Sequence, residues 1–426
     1  MNRKRRHHGG FTIVELLVAS TVGLLLVLGV IEAFRQITHA VNKGRANVQL
    51  SGKLRNTINL LREDFQGITV PAIPNISTDS GAGYFEIIEG EDNDLIQSAT
   101  DTLTGDTDDV IMFTSRRLGE PFSGRFKGEV ITSPNAEIIY WLDPGIWDGS
   151  APLQHNEMPL ATLRRRTLLI RPDLNVNGVI LGYTGYNSLT VRKFLNENDI
   201  SVRVNSNGTV SANTLSDLTL RQNRVAHGPL NTSSFYPFFT EYLPYQSDDF
   251  MGEDVVMDQV IGFDIRVYDP SVYVVQYSST SEPPEPLVPG DPGYERANLN
   301  TDTIGRGAYV DLGFASRISR TQAQVGGTAL CVDTSYRPQL GNYNVYDTWT
   351  IEYERDGLDQ DGVFGADQGN DGIDNNGSGG VDDITEVETM PPYPISLRGF
   401  QVIVRAFQTG QQQTRQFTIN HDFTPE

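Results

Sequence analysis

The chain holds a single cysteine, Cys331, in 426 residues, so no disulfide can form within it. Stability must then come from an apolar core, with or without a metal, and Cys331 reads as a small buried apolar residue. Histidine is scarce too. His7 and His8 fall in the first ten residues, and His39, His155, His227 and His421 are isolated. There is no Gly-x-Ser-x-Gly elbow, no phosphate loop and no His-Glu-x-x-His. Glu86, Glu89 and Asp92 lie close together, but among 54 acidic residues such spacing arises by chance. The expectation is therefore that the protein is not an enzyme. Basic charge is also short, with 33 Lys and Arg against 54 Asp and Glu, a net charge of −21. Four of those basic residues sit before position 7, so the remainder carries −21 − 4 = −25. Such a surface repels phosphate backbones and excludes nucleic acid as a partner.

What the chain does have is an unusual beginning. Arg3, Lys4, Arg5 and Arg6 precede Gly9 and Gly10, and Phe11-Thr12-Ile13-Val14-Glu15 then opens a long apolar run. Phe11 to Ile31 contains one ionisable residue, Glu15, and is long enough to cross a hydrocarbon core of about 30 Å as a helix. The basic flank predicts a cytoplasmic N-terminus and an exported C-terminal body. A secretory signal places its small-residue site after the apolar segment, whereas Gly9 and Gly10 come before it, so cleavage there retains the segment. Glu15 is the exception within the run. A carboxylate at the centre of a bilayer costs about 2.5–3.5 kcal/mol on insertion scales. Four residues from Phe11, it lies only about 6 Å along the axis, which also permits a plain interfacial carboxylate.

This arrangement resembles the class III leader of type IV pilins and type II secretion pseudopilins. The resemblance implies that residues 1–10 are a leader, removed by a prepilin peptidase between Gly10 and Phe11, with methylation of the new N-terminus. It implies that residues 11–33 form a membrane helix that later packs into a filament core. Glu15 would pair there with the amino group of Phe11 in a neighbouring subunit, an attraction that grows in low dielectric and sets register. The implied partners are other pseudopilins or pilins, the peptidase, an inner-membrane assembly platform and membrane lipid.

Beyond the membrane the apolar residues Phe34, Ile37, Val41, Val48, Leu54, Ile58, Leu61 and Phe65 follow mostly helical spacing, so residues 34–66 are expected to be an amphipathic helix. Gly44 and Gly52 weaken it, and Gly67 and Pro71 stop it. Residues 67–426, rich in Gly and Pro, are expected to form a periplasmic β-rich head. Expected strands are Val110–Arg116, Ala136–Leu142, Leu160–Ile170, Val260–Tyr268, Tyr309–Phe314 and a terminal hairpin, Leu397–Phe407 with Arg415–Phe423. The fold class is thus α+β and pilin-like: a long N-terminal helix packed on an antiparallel sheet, with large insertions near 172–250 and 270–394. The stretch from Ser279 to Glu295 carries five prolines and reads as a stiff surface linker, and no repeat at a fixed period is visible.

Within the second insertion, residues 351–390 hold twelve acidic residues against one basic, Arg355. Asp374, Asn376, Ser378 and Asp382 occupy relative positions 1, 3, 5 and 9 of an EF-hand-like or dockerin-like loop, with Gly379 at the sharp turn. Asp359, Asp361 and Asp367 occupy positions 1, 3 and 9 of an earlier, poorer match. Hard oxygen donors suit Ca²⁺ rather than zinc. Position 12 is Thr385, so the bidentate Glu is missing unless Asp383 or Glu386 replaces it, and a solvated acidic loop is the other reading.

The resemblance extends to function. It implies a minor pseudopilin of the J type, a structural subunit of a type II secretion pseudopilus. The alternatives are a PilW-type minor pilin that primes a type IV pilus, or a membrane-anchored binding module that forms no filament.

Overall fold

The computed structural model describes residues 12–74, 76–90, 106–143, 154–155, 158–177, 194–195, 197–205, 209–225, 253–276, 285–291, 293–317, 322–327, 330, 344–359, 361–389, 391–408 and 413–423. A helix, α1, runs unbroken from Ile13 to Gln66 and is followed by a β-rich head, an α+β pilin-like fold. Gly44 and Gly52 do not interrupt the helix; an added Cβ at either would meet open space. Its end has a steric cause. A Cβ on Gly67 would collide with the Ser115 hydroxyl and lie 2.6 Å from the Arg116 carbonyl oxygen, so only glycine lets the chain pass this close to a strand.

The chain divides into two bodies, residues 1–55 with 408–413, and residues 56–407 with 414–426. In the first, the helix is exposed at Ile13, Leu16, Leu24, Leu28, Phe34, Ile37, Val41 and Val48. The anticipated amphipathic stripe is therefore not buried over its first half.

The second body is built on nine strands. In chain order they are β1 (Phe85–Glu89), β2 (Val110–Arg116), β3 (Asn135–Asp143), β4 (Ala161–Leu169), β5 (Glu253–Val275), β6 (Thr303–Val310), β7 (Asn344–Asp347), β8 (Gly399–Gln408) and β9 (Gln413–Asp422). The sheet order is β7-β1-β2-β3-β4-β5-β8-β9, with β6 also on β5. Neighbouring strands pair antiparallel, for example with Ile87 opposite Ile111 and Phe113 opposite Ile138. The 23-residue β5 serves three neighbours because it bends. Register shifts between Val255 and Gly262, with Gln259 at φ 57°, carry it from β4 to β8, and its far half then pairs with β6.

Side chains alternate across this sheet, and both faces are buried. Leu61 and Phe65, from the last turns of α1, cover one face. The Phe65 ring lies 5.0 Å from Phe400 and 5.6 Å from Phe113. Beside them Asp64, fully buried, accepts from Tyr140 Oη at 2.6 Å and from Arg165 Nε at 2.7 Å, and pairs with Arg117 at 2.9 Å. The other face carries Tyr84, Ile88, Val110, Met112, Ile139 and Trp141, with Leu218 packed among them. The polar stretch expected as an insertion from 172 thus supplies, in its described part, a cover for the sheet. The proline-rich segment also differs from a surface linker. Leu287 bridges to Val275, and Tyr294 is buried in a small core with Val272, Val310 and Phe314.

Candidate functional sites in the N-terminal helix and the acidic clusters

The helix begins with a reciprocal cap. The Thr12 hydroxyl accepts from the Glu15 amide at 3.2 Å, and the Glu15 carboxylate accepts from the Thr12 amide at 2.9 Å and from its hydroxyl at 3.0 Å. Each residue satisfies a main-chain N–H that the helix cannot. Glu15 is thereby held at the first turn, at the end of an exposed apolar helix long enough to span a bilayer. Gly10 and Phe11 lie outside the described residues, so the cleavage point carries no geometry here.

The acidic loop contains a repeat that composition alone hides. Asp356-Gly-Leu-Asp359 and Asp371-Gly-Ile-Asp374 start two turns of the same construction. Gly357 donates its amide to Asp367 at 3.0 Å, and Gly372 donates to Asp382 at 2.9 Å. Leu358 donates to Asp356, Ile373 to Asp371, Val363 to Asp361 and Ser378 to Asn376. The left-handed positions recur as well, at Asp367 and Asp382, Gly362 and Gly377, and Gly357 and Gly372. The expectation of no fixed period is corrected: a short tandem repeat is present, with Gly380 as well as Gly379 at positive φ. Asp359 bonds the Gly362 amide, and Asn376 also donates to Thr385. Several of the expected ligand oxygens therefore accept from their own backbone. Among the described residues, no three carboxylates of this loop gather within 4.8 Å. Glu386 is buried and accepts from the Asn376 amide at 2.8 Å, tying the loop to its base.

Residues 5–31 match the prokaryotic N-terminal methylation motif. The match supports a type IV pilin or pseudopilin kind of protein, processed by a prepilin peptidase, methylated, and assembled with other pilin-type subunits through a membrane-anchoring helix. No curated protein and no solved structure matches the chain.

Two further clusters, both on β1, were not singled out in the sequence as sites. Glu86 points to the face covered by residues 218–224. Arg221 and Arg224 reach it at 2.6 and 2.9 Å, and Arg224 also bonds Asp347 at 2.8 Å. All four are buried, Arg224 stacks over the Tyr84 ring at 4.2 Å, and burial pushes the Asp347 carboxyl up against the pull of Arg224. Glu137, raised by burial, accepts from Tyr84 Oη and the Ser201 hydroxyl beside them.

Glu89, three residues further on, has different company. Its carboxylate, with those of Asp106 and Asp109, forms a buried group in which one oxygen from each lies within 4.8 Å of the other two. At an effective dielectric of about 20, two charges at that separation repel by about 3 kcal/mol. Burial first, then Asp109 and Glu89, push Asp106 far above the carboxylate range, and burial with Glu89 and Asp264 does the same to Asp109. In the sequence Glu89 was noted only beside Glu86 and Asp92; nothing there signalled that Asp109 comes to lie beside β1.

Proposed function

We propose that the protein is a minor pseudopilin of the J type, a structural subunit of a type II secretion pseudopilus. The observation that carries the assembly reading is the methylation motif at 5–31 on a helix whose apolar side chains are exposed from Ile13 to Val48. Such a surface belongs in lipid or against other helices. The subunit is inserted in the inner membrane with its N-terminus cytoplasmic and its head periplasmic, cut between Gly10 and Phe11, and drawn by the assembly platform into a filament. Glu15 then exchanges its own Thr12 cap for the amino group of Phe11 in a neighbouring subunit. The preference for a pseudopilus over a PilW-type pilus rests on the terminal β8–β9 hairpin. Glu15→Val tests the mechanism. Wild type should appear in sheared filaments while the variant is processed but absent. Equal incorporation of both, or of neither, overturns it.

We also propose that the acidic repeat binds Ca²⁺ structurally, through Asp374, Asn376, Ser378 and Asp382 and, in the first turn, Asp359, Asp361 and Asp367. Support comes from the dense hard-oxygen donors and the tight glycine turns. Chelation should lower the melting temperature of wild type more than that of a D374N/D382N variant. An equal response of the two contradicts it.

A further inference from the structure

The Glu89 cluster goes beyond the filament reading and is separate from the acidic repeat. Strand pairing brings Glu89, Asp109 and Asn344 to one face. Asn344 stands opposite Glu89 across β7 and β1, and continuing the β1–β2 register past Ile88 and Val110 sets Asp109 opposite Glu89 on the other side. Directly opposed residues of antiparallel strands share a face. Backbone amides hold the outer oxygens: Leu312 donates to Glu89 Oε2 at 3.1 Å, and Ile265 donates to Asp109 Oδ2 at 2.6 Å.

Among the described residues, Asp109 and Asn344 each keep one polar atom with no hydrogen-bond partner. Asp109 Oδ1 is one, on a side chain 1 % exposed, and Asn344 Oδ1 is the other, on a side chain 3 % exposed. Asn344 packs directly against Gly313, the residue after the Leu312 amide donor, so its free carbonyl oxygen belongs to the same corner. A buried acceptor without a donor is costly and points to a missing ligand. The charges acting most strongly on Asp106 and Asp109 are all carboxylates, and the neighbouring Arg266 already bonds Asp264 and Asp311 at 3.1 and 3.2 Å.

Oxygens on opposite sides of a calcium ion, bound at about 2.3–2.6 Å, are about 4.6–5.2 Å apart. Three carboxylate oxygens all within 4.8 Å therefore fit around one such ion. We propose that Glu89, Asp106 and Asp109 bind a single Ca²⁺, with Asn344 Oδ1 as a further ligand. Zinc prefers nitrogen and sulfur, and Mg²⁺ gives up its water reluctantly, so a buried all-oxygen cage selects calcium. The ion clamps the end of β1 to the segment before β2 and to β7.

The test uses the full-length chain in detergent, stripped with chelator and dialysed against radioactive calcium. The five aspartates assigned to the repeat are first neutralised by D359N/D361N/D367N/D374N/D382N, so that the buried site is read alone. That background should still bind one calcium per chain, resist competition by equimolar Mg²⁺, and melt higher with calcium than without. Adding D109N should weaken binding at least tenfold, and E89Q serves in its place if circular dichroism shows D109N unfolded. No calcium on the background, as for carboxyls that simply share protons, overturns the proposal. So does unchanged binding in the folded variant.

Discussion

Leu24 and Leu61 stand on one helix, yet Leu24 is 60 % exposed and Leu61 not at all. The same inversion runs through the two bodies of the chain. Residues 13–48 present apolar side chains outward, while the head takes Asp64, Glu86, Arg224 and Asp347 into its interior. An apolar surface facing water is incomplete alone, and lipid or neighbouring helices complete it. Buried charges are complete only where each finds a partner. Asp64 has Arg165 and Arg117, and Glu86 and Asp347 have Arg224, whereas Glu89 meets further carboxylates. The head thus answers Asp64, Glu86 and Asp347 with its own arginines, while at Glu89 an amide of Leu312 and two carboxylates converge.

Substitutions can break this contrast in order of severity. Arg224→Ala leaves Glu86 and Asp347 short of a shared counter-charge in a dry site and should cost about 3–5 kcal/mol in urea unfolding of the head. Leu61→Ala opens a cavity beneath the sheet and should cost about 3 kcal/mol by the same measurement.

A smaller effect comes from His421, whose ring lies 5.0 Å from Phe423 and 5.2 Å from Phe400. Burial lowers its pKa in the fold, opposed by Asp422. The neutral ring is therefore favoured in the native state, and its stabilisation is present above the unfolded value of about 6.5. It is lost as pH falls from there through the lowered folded value. His421→Phe should lose less stability than wild type when thermal melts are taken from pH 7 down to pH 5. Smallest of all, Leu24→Ala should leave head unfolding unchanged within about 0.5 kcal/mol, because its side chain is exposed, while reducing retention in membranes.

Much of this was legible beforehand. The strands at 110–116 and 135–143 show as apolar runs, the expected strand at 160–170 is present at 161–169 despite Arg164-Arg165-Arg166, the hairpin was expected to turn around Gly410, and Gly67 marks the end of α1. β1 was not, because Phe-Glu-Ile-Ile-Glu has no clean period when both faces are buried and both glutamates have interior partners. Asp64 was hidden because a charge on an apolar stripe reads as an interruption until Arg165, a hundred residues away, is seen to meet it. Arg221 and Arg224 were unreadable for the same reason: a polar stretch reads as surface unless its counter-charges are known to lie in a sheet. The motif at the helix start was legible because it is contiguous; the Thr12–Glu15 cap, though a local pair, was not read from it.

The most direct test of the central claim is the mass of the mature chain isolated from membranes. Assembly through a retained N-terminal helix predicts loss of residues 1–10 and a methylated Phe11 at the new terminus. A chain that keeps those residues, or one cut beyond the apolar segment, would contradict it.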